Sequence, residues 1–273
     1  MPEAFSAALM STFGVVPEKS RQQLESRSGA DLIPVRTAGG TAAYLKVTPA
    51  GARRELRFYR QIARHAPVRT PRLLDHADTA DGVALLLEAT GESRDVRSWT
   101  QETWRALGRD LAALHGMPLP AGTDWQVSDA DPDWATIEAF WGPELLARRA
   151  EFCAARSALP QVFMHGDCHT ENIAHAGNAL VFCDWQAAGI GRPVSDLAFV
   201  SVRATPAGVT VPPVFLDAYC EHSPLDRGAL ERGVMAEELT IFLFQWPHYA
   251  AYNTPAGIDR VRRRVRDLGE RWS

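Results

Sequence analysis

Lysine is nearly missing from this chain of 273 residues. Lysine and arginine together number 29, and since only Lys19 and Lys46 are lysine, the other 27 are arginine. Such a skew is a coding bias, so a lysine that survives against it marks a place where a compact ammonium serves and arginine's planar fork does not. Lys19 lies in a polar stretch, whereas Lys46 sits inside the apolar run TAAYLKV. Cysteine is scarce as well. Cys153, Cys168, Cys183 and Cys220 show no CxxC spacing and no secretory context, so free buried thiols are expected. No apolar run approaches the roughly 20 residues of a membrane span, and Glu3 stands where a signal peptide would carry basic residues. A cytoplasmic protein off the membrane is the expectation. The net charge of -4 and the want of a basic stripe with interleaved aromatics argue against nucleic acid as a partner. There is no internal repeat and no low-complexity tract. A small-molecule partner and a monomer are the expectation.

The length favours two packed lobes over one unit. In the first third, residues 22–27, 32–37 and 41–47 are short alternating or apolar runs separated by SGAD and AGG, the punctuation of hairpins. Residues 51–66 then carry Leu56, Tyr59, Ile62 and Ala63 at helical spacing. A further strand, VALLLEA at 83–89, leads into ATGESRD. The pattern turns helical from residue 100, where Trp104, Leu107, Leu111 and Leu114 share a face, and a second helical region is interrupted near Gly142 and Pro143. Further helices are expected up to the closing GIDRVRRRVRDLGERW. The expected fold is therefore α+β, an antiparallel sheet with one helix over residues 1–89 and a mainly helical lobe over residues 90–273.

The chemistry gathers in one stretch. Residues 165–172 read HGDCHTEN, and Asp184 follows twelve residues later in DWQ. A strand, an irregular loop and a hairpin about AGN would bring Asp167, Asn172 and Asp184 together. Phosphoryl transfer calls for a carboxylate near the acceptor hydroxyl and hard oxygen ligands for Mg²⁺, and Asp, Asn and Asp supply that set. A zinc site from His165, Cys168, His169 and Cys183 is the rival reading, but HxxCH matches no closed zinc module.

HGDxxxxN followed by D-W resembles the aminoglycoside phosphotransferase and choline kinase superfamily, relatives of the protein kinases, whose catalytic loop has the same Asp-to-Asn spacing. SGADLIPV resembles that family's nucleotide loop, YLKV its strand-borne lysine, RREL the following helix, LLLEATGE the hinge, LAALHGMP a long helix ending in Leu-His, and GRPVSDLAFV the segment after the metal site. The resemblance implies a bilobal protein-kinase-like fold with ATP and Mg²⁺ as cofactors. It implies Asp167 as catalytic base or orienter of the acceptor hydroxyl, and Asn172 and Asp184 as Mg²⁺ ligands. It implies Lys46 on the α- and β-phosphates, paired with Glu55, and backbone N–H groups of Ser28, Gly29 and Ala30 over the phosphates. Backbone at Leu87 and Ala89 would meet adenine, while His165 and Asp196 would brace the catalytic loop.

The resemblance implies a small-molecule hydroxyl as acceptor, and an antibiotic such as an aminoglycoside is the favoured expectation. The chain departs from the 3'-type aminoglycoside enzymes in ending on DLGERWS instead of an acidic-aromatic tail. Asp129, Asp131, Asp133, Glu138, Glu237 and Glu238 could still meet a polycation. Trp246, Tyr249 and Tyr252 fit either a core or a substrate wall. Two other readings stand beside the antibiotic kinase: a metabolic kinase for choline, an amino alcohol or a sugar, and a nucleotide-binding pseudokinase. The short interval from Asp184 to Asp196 leaves no room for the activation loop of a protein kinase.

Overall fold

The computed structural model describes residues 3–18, 24–25, 30–49, 53–80, 82–127, 132–142 and 144–272. The chain divides into two compact units, Met1–Glu92 with His175–Ala187, and Ser93–Ala174 with Ala188–Ser273.

The first unit opens with helix α1 (Glu3–Phe13) and strand β1 (Val15–Pro17), followed by β2 (Leu24–Glu25), β3 (Asp31–Thr37), β4 (Ala42–Pro49), helix α2 (Arg54–Gln61), β5 (Leu73–Asp78) and β6 (Gly82–Glu88). The strands form one antiparallel sheet in the order β1-β3-β4-β6-β5, with β2 also paired to β3. Period-2 alternation makes β4 two-faced. Ala43, Leu45 and Val47 join Val35, Ala84 and Leu86 in the core, together with Leu9 and Val15. Lys46 lies between Leu45 and Val47 and so points to the opposite face. The helix expected over 51–66 is shorter, running from Arg54 to Gln61 and ending in a 3₁₀ turn at Ala63–His65 just ahead of Pro67, because the residue before a proline avoids the helical region. β5 escaped the sequence reading. Its side chains are mostly half-buried or exposed, so no apolar run announces it.

Segment His175–Ala187 belongs to this unit because its strand Ala179–Phe182 runs along residue 69: Phe182 N–H donates to Arg69 O at 2.8 Å. That strand is the second arm of a hairpin whose first arm is Ile173–Ala176, turning on Gly177 at φ +64°.

The second unit holds helices α3 (Gln101–His115), α4 (Trp134–Trp141), α5 (Arg149–Ser157), α6 (Pro193–Ala204), α7 (Pro213–Glu221), α8 (Arg227–Phe244) and α9 (Pro255–Trp272). Thr100 caps α3 by accepting from Thr103 N–H, and Trp104, Leu107, Leu111 and Leu114 form its buried face. Gly142 at φ +81° ends α4, while Pro143 lies outside the described residues. Ile137, Phe152, Leu239, Phe242, Val261, Val265, Leu268 and Trp272 share one core. Strands Val162–Met164 and Gly189–Gly191 pair antiparallel and bracket the loop that carries Asp167. No described helix is long and apolar enough to cross a membrane.

Candidate active site

In the first unit, Lys46, Glu55 and Asp184 converge. Lys46 Nζ lies 2.6 Å from Glu55 Oε2 and donates to Asp184 Oδ1 at 2.9 Å. Lys46 and Glu55 are 5% and 1% exposed, so the pair interacts at low dielectric. Burial alone would lower the pKa of Lys46, but the Glu55 and Asp184 carboxylates outweigh it and hold the ammonium above the ordinary lysine value. Burial pushes Glu55 upward, an effect that Lys46 offsets only in part. The sequence places Glu55 in the first turn of α2 among its buried residues, with Leu56, Phe58 and Tyr59. A carboxylate on an apolar face needs a partner, and Lys46 is that partner.

Asp184 reaches the pair through an unusual backbone. Its φ of +62° is the single positive value among the described non-glycine residues, a conformation that asparagine and aspartate tolerate best. The next residue fixes it. Trp185 N–H donates to Glu55 Oε1 at 3.2 Å, and its ring stacks on Phe58 at 3.9 Å with the planes 7° apart. Trp185 Nε1 donates to Phe182 O at 2.8 Å, and Gln186 Nε2 to Asp184 Oδ1 at 3.0 Å. Glu55 thus bridges the lysine strand and the segment after Asp184.

The remaining first-unit expectations fall unevenly. Ser28 and Gly29 lie outside the described residues, and Ala30 is buried just ahead of β3. Leu87 pairs with Tyr44 on one side and Leu73 on the other. Ala89 N–H donates to Ala42 O at 3.0 Å, so the sheet takes its donor.

In the second unit the loop is fixed from below. Asp196, fully buried in the first turn of α6, accepts His165 N–H and Gly166 N–H at 2.8 Å each, one on either carboxylate oxygen. Burial opposes its charge, yet the hydrogen bonds it accepts, that from His115 and those from the loop amides, keep its pKa below the usual aspartate value. Gly166 at φ +83° makes the turn. Asp167 N–H then donates to His165 Nδ1 at 3.3 Å, and the Asp167 side chain emerges 38% exposed. Asn172 Nδ2 donates to both the carbonyl O and Oδ2 of Asp167, at 3.0 Å each. Two acceptors on that nitrogen identify the other end of the amide as its oxygen, a hard donor of the kind Mg²⁺ takes. Asp184 offers another hard oxygen, so both expected ligands suit that ion.

Three neighbours of the loop were missed or misread. His169, which the sequence reading weighed only as a zinc ligand, is buried with Nε2 3.7 Å from Asp167 Oδ2. His115 Nε2 lies 3.1 Å from Asp196 Oδ2, and Tyr219 Oη 2.9 Å from His115 Nδ1. Among the described residues no three His, Cys, Asp or Glu side chains gather as a metal site. Cys168 is fully buried and Cys183 half-buried.

Two of the acidic residues expected to meet a polycation are corrected. Glu237 and Glu238 are buried in ion pairs with Arg156 and Arg264, so they serve packing within the helical unit. Asp133 caps α4 through Thr136, Glu138 is exposed, and Asp129 and Asp131 lie outside the described residues. Trp246 is core, while Tyr249 and Tyr252 are 50% and 70% exposed.

An antiparallel-sheet unit bearing the lysine pair and a helical unit bearing the HGD loop define an α+β, protein-kinase-like fold. Solved structures share it. Macrolide 2'-phosphotransferase MphH from Brachybacterium faecium is 21% identical, with 93% of this chain and 95% of that one covered at a TM-score of 0.65. Aminoglycoside phosphotransferase APH(3'')-Id from Streptomyces rimosus is 22% identical over 87% and 97% at 0.56, and amicoumacin kinase hAmiN 12% identical over 99% and 96% at 0.66. No curated protein matches the chain by sequence. The sequence model of the phosphotransferase enzyme family, APH, matches residues 23–232. The chain belongs to that family of phosphotransferase enzymes.

Proposed function

We infer that the protein transfers the γ-phosphoryl group of ATP to a hydroxyl of a small-molecule antibiotic, an O-phosphorylation that confers resistance, and that it does so in the cytoplasm as a monomer. The observation that carries this reading is Asp167, a partly exposed carboxylate between the buried His165 and Cys168, gripped by Asn172. Asp167 would accept the acceptor's proton as that oxygen bonds to phosphorus and the bond to the ADP oxygen breaks. Lys46, steadied by Glu55, would neutralise the α- and β-phosphates. Asn172 and Asp184 would hold Mg²⁺, which supplies charge neutralisation. The backbone N–H groups of Ser28, Gly29 and Ala30 would cover the phosphates. For adenine, backbone at Leu87 and the carbonyl of Ala89 are the groups proposed, since the Ala89 N–H is already bonded. Catalysis is mostly positioning and electrostatics.

Three solved relatives of the fold carry antibiotics in their names, a macrolide, an aminoglycoside and amicoumacin, which favours that acceptor class. The test is phosphate transfer from ATP to a panel of aminoglycosides, macrolides, peptide antibiotics, amino alcohols and sugars, read by mass spectrometry. A phosphorylated antibiotic supports the reading. A product only among amino alcohols or sugars replaces it with a metabolic kinase. Nucleotide binding with no transfer to any acceptor points to a pseudokinase.

A further inference from the structure

Behind the HGD loop runs a line of buried hydrogen bonds that the transfer chemistry above does not use. It starts on α7, where Tyr219 is 1% exposed, passes through His115 at the end of α3, and ends on Asp196. The helices lie close enough for this because of Gly108, where an added Cβ would sit 2.2 Å from Phe215 O.

The chemistry of the line fixes its protons. Asp196 accepts three N–H groups, from His165, Gly166 and His115. An ionised carboxylate only accepts, so the His115 Nε2 must carry a hydrogen. In the neutral imidazole Nδ1 is then an acceptor, and the Tyr219 hydroxyl is its donor. Without that hydroxyl, Nδ1 would be a buried acceptor lacking its donor, and the ring could take the other tautomer. That would set a lone pair against the Asp196 carboxylate and loosen its hold on the two loop amides.

We propose that Tyr219 and His115 are positioning residues for phosphoryl transfer: the Tyr219 hydroxyl locks the Nε2–H tautomer of His115, which keeps Asp196 seated on the backbone that aims Asp167. The proposal rests on the reading of Asp167 as the group that meets the acceptor hydroxyl. Neither residue touches substrate, and the two act in series.

The test uses the full chain as wild type, Tyr219→Phe, His115→Gln, the double variant, and Asp167→Asn. Gln can still donate to Asp196 but cannot reach Tyr219. Nitrogen-15 spectra of the histidine rings should report the Nε2–H tautomer for His115 in the wild type and a mixture in Tyr219→Phe. Amide hydrogen exchange at His165 and Gly166 should quicken about tenfold in Tyr219→Phe, the size expected for weakening a hydrogen bond to a charged group, and should stay near the wild-type rate in His115→Gln and in the double, where the Gln amide still donates to Asp196. Amides of β4 should be unchanged. Turnover of MgATP by Tyr219→Phe with water as acceptor should fall in kcat while KM for ATP stays within about twofold, as for a loss confined to the transition state. Unchanged exchange at His165 and Gly166 in Tyr219→Phe, a wild-type Nδ1–H tautomer, or additive effects in the double would overturn the proposal. Wild-type turnover by Asp167→Asn would sink the reading of Asp167 alone, leaving the exchange result to decide the positioning of the loop.

Discussion

Lys46 and Glu55 illustrate how unequal the two ways of losing a buried ion pair are. Removing the lysine alone strands a carboxylate that is 1% exposed, and breaking such a pair costs about 3–5 kcal/mol. Lys46→Met should therefore lower the urea midpoint sharply, while Lys46→Met with Glu55→Leu should recover most of the stability and none of the activity. If the double variant is no more stable than the single, the pair is not what holds α2 to β4. Titration gives a second check. Because the folded protein raises the pKa of Lys46 above its ordinary 10.5, that group binds its proton more tightly when folded. Its stabilisation is complete below 10.5 and is lost as pH climbs through the raised value. Asp196 works in the opposite sense. Its folded pKa lies below the ordinary 3.8, so its contribution is whole above 3.8 and fades as pH falls through the lowered value. The stability gap between wild type and Asp196→Asn should thus shrink in acid, and a gap independent of pH would refute the assignment of Asp196 as a buried, hydrogen-bonded anion.

Among the elements, glycines set two close approaches. In α3, Gly108→Ala would gain roughly 1 kcal/mol of helix propensity, yet the new Cβ would lie 2.2 Å from Phe215 O and 3.2 Å from Ala218 Cβ. Overpacking of that kind costs about 1–3 kcal/mol, so the variant should melt lower, and a rise in melting temperature would mean that α7 yields freely. Gly91, at φ +118°, leaves no room for a side chain, since an added Cβ would lie 2.2 Å from His175 O, so Gly91→Ala should destabilise the first unit by at least the 1–3 kcal/mol of a strained backbone. What the sequence could reveal of these elements followed from periodicity and punctuation. β3, β4, β6 and α3 are legible because apolar residues recur at the spacing of their buried faces. β5 is not, since its faces are mostly half-buried or exposed. Lys46 stood out because it is a lysine in an apolar strand of an arginine-rich chain, and Asp167 with Asn172 through their spacing. The partnership of Tyr219 with His115, 104 residues apart, has no local signal at all. Nor has the left-handed backbone of Asp184, which depends on Trp185 stacking on Phe58 from another part of the chain.

For the molecule as a whole, family membership defines a phosphotransferase, and its acceptor is the property on which the proposed function turns. The residues proposed for the reaction divide between the two units, Lys46, Glu55 and Asp184 on one and Asp167 and Asn172 on the other. Damage to each should therefore differ in kind: Lys46→Arg, whose planar fork cannot replace the compact ammonium, should impair productive use of ATP, while changes at Asp167 should leave nucleotide binding intact and stop the chemistry. The most direct measurement is transfer of labelled phosphate from ATP to the antibiotic panel by wild type and Asp167→Asn side by side, with ATP binding followed in both. The expected result is a phosphorylated antibiotic from the wild type, a rate lower by about 10²–10⁴-fold in Asp167→Asn as for loss of a general base, and equal ATP binding by the two proteins. Product formed by Asp167→Asn at the wild-type rate would contradict the role given to Asp167, and a wild type that binds no ATP would contradict the proposed reaction itself.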